Sequence, residues 1–65
     1  MSVIFVPKPK EVLLHWVSEL DKVWSTLNDW ETHFVAGLSF RIKNGEKISQ
    51  RQQEVLEKIY AEKTS

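Results

Sequence analysis

The sequence predicts an all-α fold, a small three-helix bundle with an extended N-terminal arm, in a single domain of 65 residues. Three observations predict it. Apolar residues recur at steps of three and four in three successive segments, residues suited to a helix start stand before each segment, and Asn28-Asp29 and Asn44-Gly45 punctuate the pattern. The expected arm is residues 1–9, and the expected helices run over about 10–27, 29–43 and 49–62.

The arm comes first. Val3-Ile4-Phe5-Val6 is β-branched and aromatic, but no second segment offers a strand to pair with it, so it is expected to lie extended across the bundle or against a partner. In the first helix, Leu13, Val17, Leu20, Trp24 and Leu27 form the stripe, with Trp16 and Val23 broadening it. Pro9 suits its first turn, where a missing N–H costs nothing, and Glu11 complements the positive end of the dipole. Asn28 followed three residues later by Glu31 has the form of a capping box and opens the second helix. The apolar positions of that helix are Trp30, Phe34, Val35, Leu38 and Ile42, and Gly37 within it is a place where another helix can approach closely. Asn44-Gly45 supplies the left-handed geometry that ends a helix. Ser49 with Gln52 repeats the box, and Gln52, Val55, Leu56, Ile59 and Tyr60 line one side of the third helix.

Composition narrows the function classes. With 42% hydrophobic residues, the chain has material for one thin core, since a domain of this size buries only about 60% of the surface its unfolded form exposes. The absence of cysteine excludes disulfides, thiolate metal sites and thiol nucleophiles. Nine basic residues balance nine acidic ones, which argues against a domain devoted to neutralising phosphates. The N-terminal apolar run is far short of a membrane span, and its lysines follow it rather than precede it as in a secretory signal. No membrane association is expected, and the expected location is the cytoplasm, that of the host if the chain is phage-encoded.

No catalytic constellation is present in the pattern. HExxH, P-loop, GxGxxG and GxSxG motifs do not occur, and no cofactor is implied. Glu11, His15 and Glu19 stand at successive steps of four and could share a metal, but a polar helix face of weak i,i+4 pairs explains them, and neither a metal site nor an enzyme is expected. Trp16, Trp24 and Trp30 are many tryptophans for 65 residues; filling a thin core is the plain account, and anchoring a protein interface is the functional one. Trp16 and Trp24 fall roughly 80° apart around a helix, so one can face the core while the other sits at its edge. Phe40 lies off the stripe of its helix and should point away from the core, where with the N-terminal arm it would form an apolar patch.

Cationic residues gather at Arg41, Lys43, Lys47 and Arg51, interrupted by Glu46. A solvated loop accounts for so small a patch, and phosphate contact is the alternative, with Gln50, Arg51 and Gln53 as probing side chains at the start of the third helix. Glu54, Glu57 and Glu62 on that helix would repel a phosphate backbone.

The second half of the chain carries a resemblance. Trp30-Glu31, Phe34-Val35, Leu38, Arg41, Gly45, Ile48-Ser49, Arg51-Gln52 and Leu56-Glu57-Lys58-Ile59-Tyr60 resemble a short helical pattern, WE..F...L..R...G..(L/I)S.RQ...LEKIY, of phage-encoded and mobile-element proteins of DNA replication and recombination. The resemblance implies an accessory module without catalytic residues of its own, in a genomic setting. The stretch from Ser49 to Tyr60 also resembles the leading helix of some helix-turn-helix regulators, without a second, basic recognition helix after it.

The expected function is therefore that of a small phage or mobile-element regulator that binds and modulates a larger protein of nucleic-acid metabolism. Ile4, Phe5, Trp16, Trp24 and Phe40 are the expected protein-binding anchors. The alternative is an accessory DNA- or RNA-binding domain using Arg41, Lys43, Lys47 and Arg51. A homodimer that completes the thin core by pairing exposed stripes is the third arrangement.

Overall fold

The computed structural model describes residues 7–64, so the arm residues Ile4 and Phe5 lie outside the described residues. Three α-helices follow in order, α1 (Lys10–Lys22), α2 (Asp29–Lys43) and α3 (Gln50–Thr64), with one 3-10 turn, η1 (Trp24–Thr26), between the first two. The fold is all-α. The start of α1 lies by the end of α2, where Leu13 and Ile42 line one groove, so these helices run antiparallel. Lys8 reaches Gln53 and Trp16 reaches Tyr60, so α1 and α3 run in the same direction. Glu31 meets Lys63, which makes α2 and α3 antiparallel.

The two capping boxes read from the sequence are both formed. The Glu31 N–H donates to Asn28 Oδ1 at 2.8 Å while the Asn28 N–H donates to Glu31 Oε1 at 3.0 Å. At α3, the Gln52 N–H donates to Ser49 Oγ at 3.1 Å and the Ser49 N–H to Gln52 Oε1 at 2.8 Å. Each pair satisfies two backbone donors that a bare helix start would leave without partners. The end of α2 is a Schellman motif: the Gly45 N–H donates to the Ile42 carbonyl and the Glu46 N–H to the Arg41 carbonyl. Gly45 has φ of 76°, in the left-handed region where a side chain is strained.

The first helix is shorter than expected. It stops at Lys22, and the Trp24–Thr26 segment tightens into a 3-10 turn instead of continuing to Leu27. Bonds of the i→i−3 type replace the α-helical ones: Val23 to Leu20, Thr26 to Val23 and Leu27 to Trp24. The Thr26 hydroxyl also donates to the Val23 carbonyl at 2.7 Å. A β-branched residue whose hydroxyl takes a local carbonyl competes with helix propagation, and Val23-Trp24-Ser25-Thr26 contains no strong helix former.

The core draws on all three helices. Leu13, Trp16, Val17 and Leu20 of α1 meet Val35, Leu38 and Ile42 of α2 and Leu56 and Ile59 of α3, and Ile48 closes one end from the connecting loop. Tyr60 stacks on Trp16, ring centroids 5.6 Å apart, and meets His15 edge-on at 6.3 Å. Of the expected apolar row of α2, Val35, Leu38 and Ile42 are buried and Phe34 is half-buried, but Glu31 takes the inward place at its start instead of Trp30. Trp30 is 60% exposed. Gly37 is exposed too, and a Cβ built there meets no atom within 4 Å, so among the described residues no helix exploits its small size.

Leu56 has no exposed surface, so Leu56→Ala is expected to lower stability by about 2–5 kcal/mol, read as a fall in the urea midpoint. The two glycines should respond with opposite signs. Gly37→Ala is expected to raise stability by about 0.5–1 kcal/mol through helix propensity, whereas Gly45→Ala should lower it by about 1–2 kcal/mol through left-handed strain; thermal melts of the two variants check both.

Candidate functional site

Helix α2 is apolar on two faces. Its inner face feeds the core, and its outer face carries Trp30 and Phe40, the latter 67% exposed. Phe34 is half-buried and stacks on Trp30, with ring centroids 5.1 Å apart and planes 10° from parallel. Grooves run along both sides of this outer face. On one side Trp24, Val35, Ala36, Ser39 and Phe40 line an open groove of about 330 Å³, with Asp21 and Lys43 at its edge. On the other, Trp30 and α3 residues including Arg51, Val55 and Ile59 line a groove of about 380 Å³.

The Trp24–Phe40 groove follows from local causes. The tightening of the chain at Val23–Thr26 brings Trp24 off the end of α1, where its ring is half-buried against the core. The capping box fixes the start of α2, and Phe40 then falls near the far end of that helix, outside the arc of Val35, Leu38 and Ile42. An exposed phenylalanine beside a half-buried tryptophan is a ready-made apolar seat, and the acid and lysine at its edge supply a charged rim of both signs.

The expected anchors are thus divided. Trp24 and Phe40 come together in one groove. Trp16 does not join them: it is 8% exposed, packed within the core against Tyr60, because it falls on the same arc of α1 as Leu13, Val17 and Leu20. It serves the fold and is not a surface anchor. Ile4 and Phe5 lie outside the described residues. Trp30 was expected in the core and is instead an exposed surface aromatic; only the rotation of α2 about its axis decides this, and spacing alone left two neighbouring stripes to choose from.

The four cations do not share a groove. Lys43 edges the Trp24–Phe40 groove, Arg51 lines the groove along α3, and Lys47 lines a smaller one of about 180 Å³ with Pro7, Lys8 and Leu13, while all four, Arg41 included, are exposed. Gln53 is not available as a probing side chain. It is buried, and its Oε1 accepts the Lys8 N–H at 2.9 Å, tying the segment before α1 to α3.

The polar face of α1 also resolves into ordinary contacts. Glu19 pairs with Lys22 at 2.7 Å; the Lys22 hydrogen bond and charge hold its carboxyl below the usual carboxylate range, with the His15 charge a smaller influence in the same direction. A lowered carboxyl supports the fold above its unfolded pKa and loses that support as the pH falls through the lowered value, and solvent screening of this surface pair keeps the effect small. His15 meets the Tyr60 ring. Among the described residues, no group of three or more His, Asp or Glu side chains is arranged to hold a metal ion, and no helix is long and apolar enough to cross a membrane.

No family model, no curated protein and no solved structure matches the chain.

Core and groove aromatics should separate cleanly on truncation. Trp16→Ala is expected to cost about 3–5 kcal/mol, while Phe40→Ala should stay within about 0.5 kcal/mol of the parent; urea unfolding of both variants checks the division.

Proposed function

We propose that this protein is a small regulatory binding module, without chemistry of its own, that occupies a surface of a larger protein through the Trp24–Phe40 groove. The observation that carries the reading is Phe40, a large aromatic 67% exposed beside a half-buried tryptophan on a chain of 65 residues. Burying such a ring against a partner removes apolar surface from water, and aromatic anchors with a polar rim are the usual energetic centre of protein interfaces. Asp21 and Lys43 provide that rim. The resemblance of residues 30–60 to accessory segments of phage and mobile-element proteins supports a partner in DNA or RNA metabolism.

The second reading is nucleic-acid binding by Arg41, Lys43, Lys47 and Arg51. Their shared exposure favours it, and the balanced net charge and the spread of these residues over separate grooves weigh against it. It predicts affinity that falls steeply with salt.

Immobilised protein is expected to retain a defined bacterial protein after nuclease treatment of the lysate. Phe40→Ser, which should melt at the parent's temperature, is expected to lose that retention at least tenfold. If retention vanishes with nuclease and falls with charge removal at Lys43 and Arg51, the nucleic-acid reading replaces this one.

A further inference from the structure

The outer face of α2 is complementary to itself. Taking Gly37 as its centre, the helical step of about 100° per residue places His33 and Phe40 about 40° and 60° to one side, and Trp30, Arg41 and Phe34 about 20°, 40° and 60° to the other. Gly37 adds no side chain and has open space above it, so it forms the floor of a furrow between two aromatic flanks. Nothing else in the described chain enters that space.

We propose that two copies of this protein pair through this face, their α2 helices antiparallel and crossing at Gly37 with two-fold symmetry. In that arrangement each residue faces one equally far beyond Gly37 in the other copy, on the same side of the crossing. Arg41, about 6 Å along the axis from Gly37, meets the level between Phe34 and Trp30 of the other copy, about 4.5 and 10.5 Å on the opposite side of the centre. These two rings already lie stacked, at 5.1 Å and 10°, and they present a π surface on which a guanidinium is favoured. On the other side, Phe40 meets His33. Farther out, Asp29 in the first turn and Lys43 in the last turn, both exposed, lie about 80° and 120° from the centre line on the side of Phe40, so unlike charges flank the crossing at both ends. Antiparallel pairing also sets the positive end of each helix dipole beside the negative end of the other.

The furrow decides between a second copy and an unrelated helix. An unrelated partner needs only an apolar stripe, whereas an aromatic pair and an arginine at mirrored distances from one glycine make the surface complementary to itself. A single 15-residue helix face covers less than the roughly 1,200 Å² buried in small stable interfaces, so the pair is a reversible one, with a dissociation constant on the order of 10–100 micromolar. It goes beyond the partner reading and depends on this chain alone. It also covers Phe40, so pairing and capture of a partner in the Trp24–Phe40 groove compete.

Sedimentation of the purified chain from low micromolar to millimolar concentration is expected to show a monomer–dimer equilibrium. A Cβ at position 37 has open space, so Gly37→Leu should melt no lower than the parent and is expected to weaken pairing at least tenfold by filling the furrow. The chain has no cysteine, so Gly37→Cys offers one thiol per copy at the crossing point and is expected to form a cross-linked dimer on mild oxidation, whereas Glu57→Cys on the exposed side of α3 does so far more slowly. A chain that remains monomeric at millimolar concentration, a Gly37→Leu variant that pairs as tightly as the parent, or equal cross-linking at positions 37 and 57 overturns the proposal. None of these outcomes bears on whether a nuclease-resistant partner is retained, so the two readings fail separately.

Discussion

The carboxylate of Glu31 sets the rotation of α2, and the placement of the aromatic surface follows from it. One of its oxygens accepts the Asn28 N–H at 3.0 Å and stands 3.5 Å from Lys63 Nζ at the far end of α3. A buried carboxylate is costly unless its acceptor capacity is used, and here a backbone donor and an ammonium use it together. Holding Glu31 inward fixes the buried arc as Glu31, Val35, Leu38 and Ile42. Trp30 is thereby turned about 100° from the neighbouring inward position, and Phe40 falls outside the same arc. One side chain thus joins the start of the second helix to the end of the third and decides which aromatics remain in water.

The size of the domain explains why this surface is not simply absorbed. Leu20, Leu56 and Val35 are fully buried, and Trp16 stacked on Tyr60 already occupies the space between α1 and α3. Three short helices leave little further interior, so additional large rings must sit at the edges of the core or outside it. Trp24 takes the edge, and Trp30 and Phe40 lie outside. Scattered apolar residues are ordinary on any protein surface, but here they lie on one helix, with a glycine between them and charges at both ends.

Much of this fold is legible in the sequence, because its punctuation is chemical and local. Asn28 with Glu31, Ser49 with Gln52, and Asn44-Gly45 each form the motif their spacing implies, so α2 begins and ends where expected and α3 begins one residue later than expected. What depends on several elements at once is less legible. The stop of α1 at Lys22 rests on weak propensities and a threonine hydroxyl, against an apolar stripe that continues through Leu27. Gln53 reads as a polar surface residue, and only the passage of Lys8 over α3 makes it a buried acceptor. Of the candidate site, the outward position of Phe40 follows from its phase on α2, whereas the neighbouring stripes 30-34-38 and 31-35-38 differ by one residue and need the Glu31–Lys63 contact to tell them apart.

The same contact divides α2 into a buried arc and an exposed one. Stability resides on the inner arc of α2 and its caps, and the outer arc contributes little to it: Gly37 touches nothing across its missing Cβ, Phe40 is mostly in water, and Trp30 gains chiefly a stack on Phe34. A glycine in the middle of an exposed helix forgoes about 1 kcal/mol that alanine would supply, and exposed aromatic rings forgo the transfer free energy that burial would supply. Both are losses for an isolated monomer. They become gains when another surface is laid across the furrow, because the glycine then admits close approach and the rings leave water. The outer arc is therefore where the proposed pairing would recover free energy that the isolated monomer forgoes.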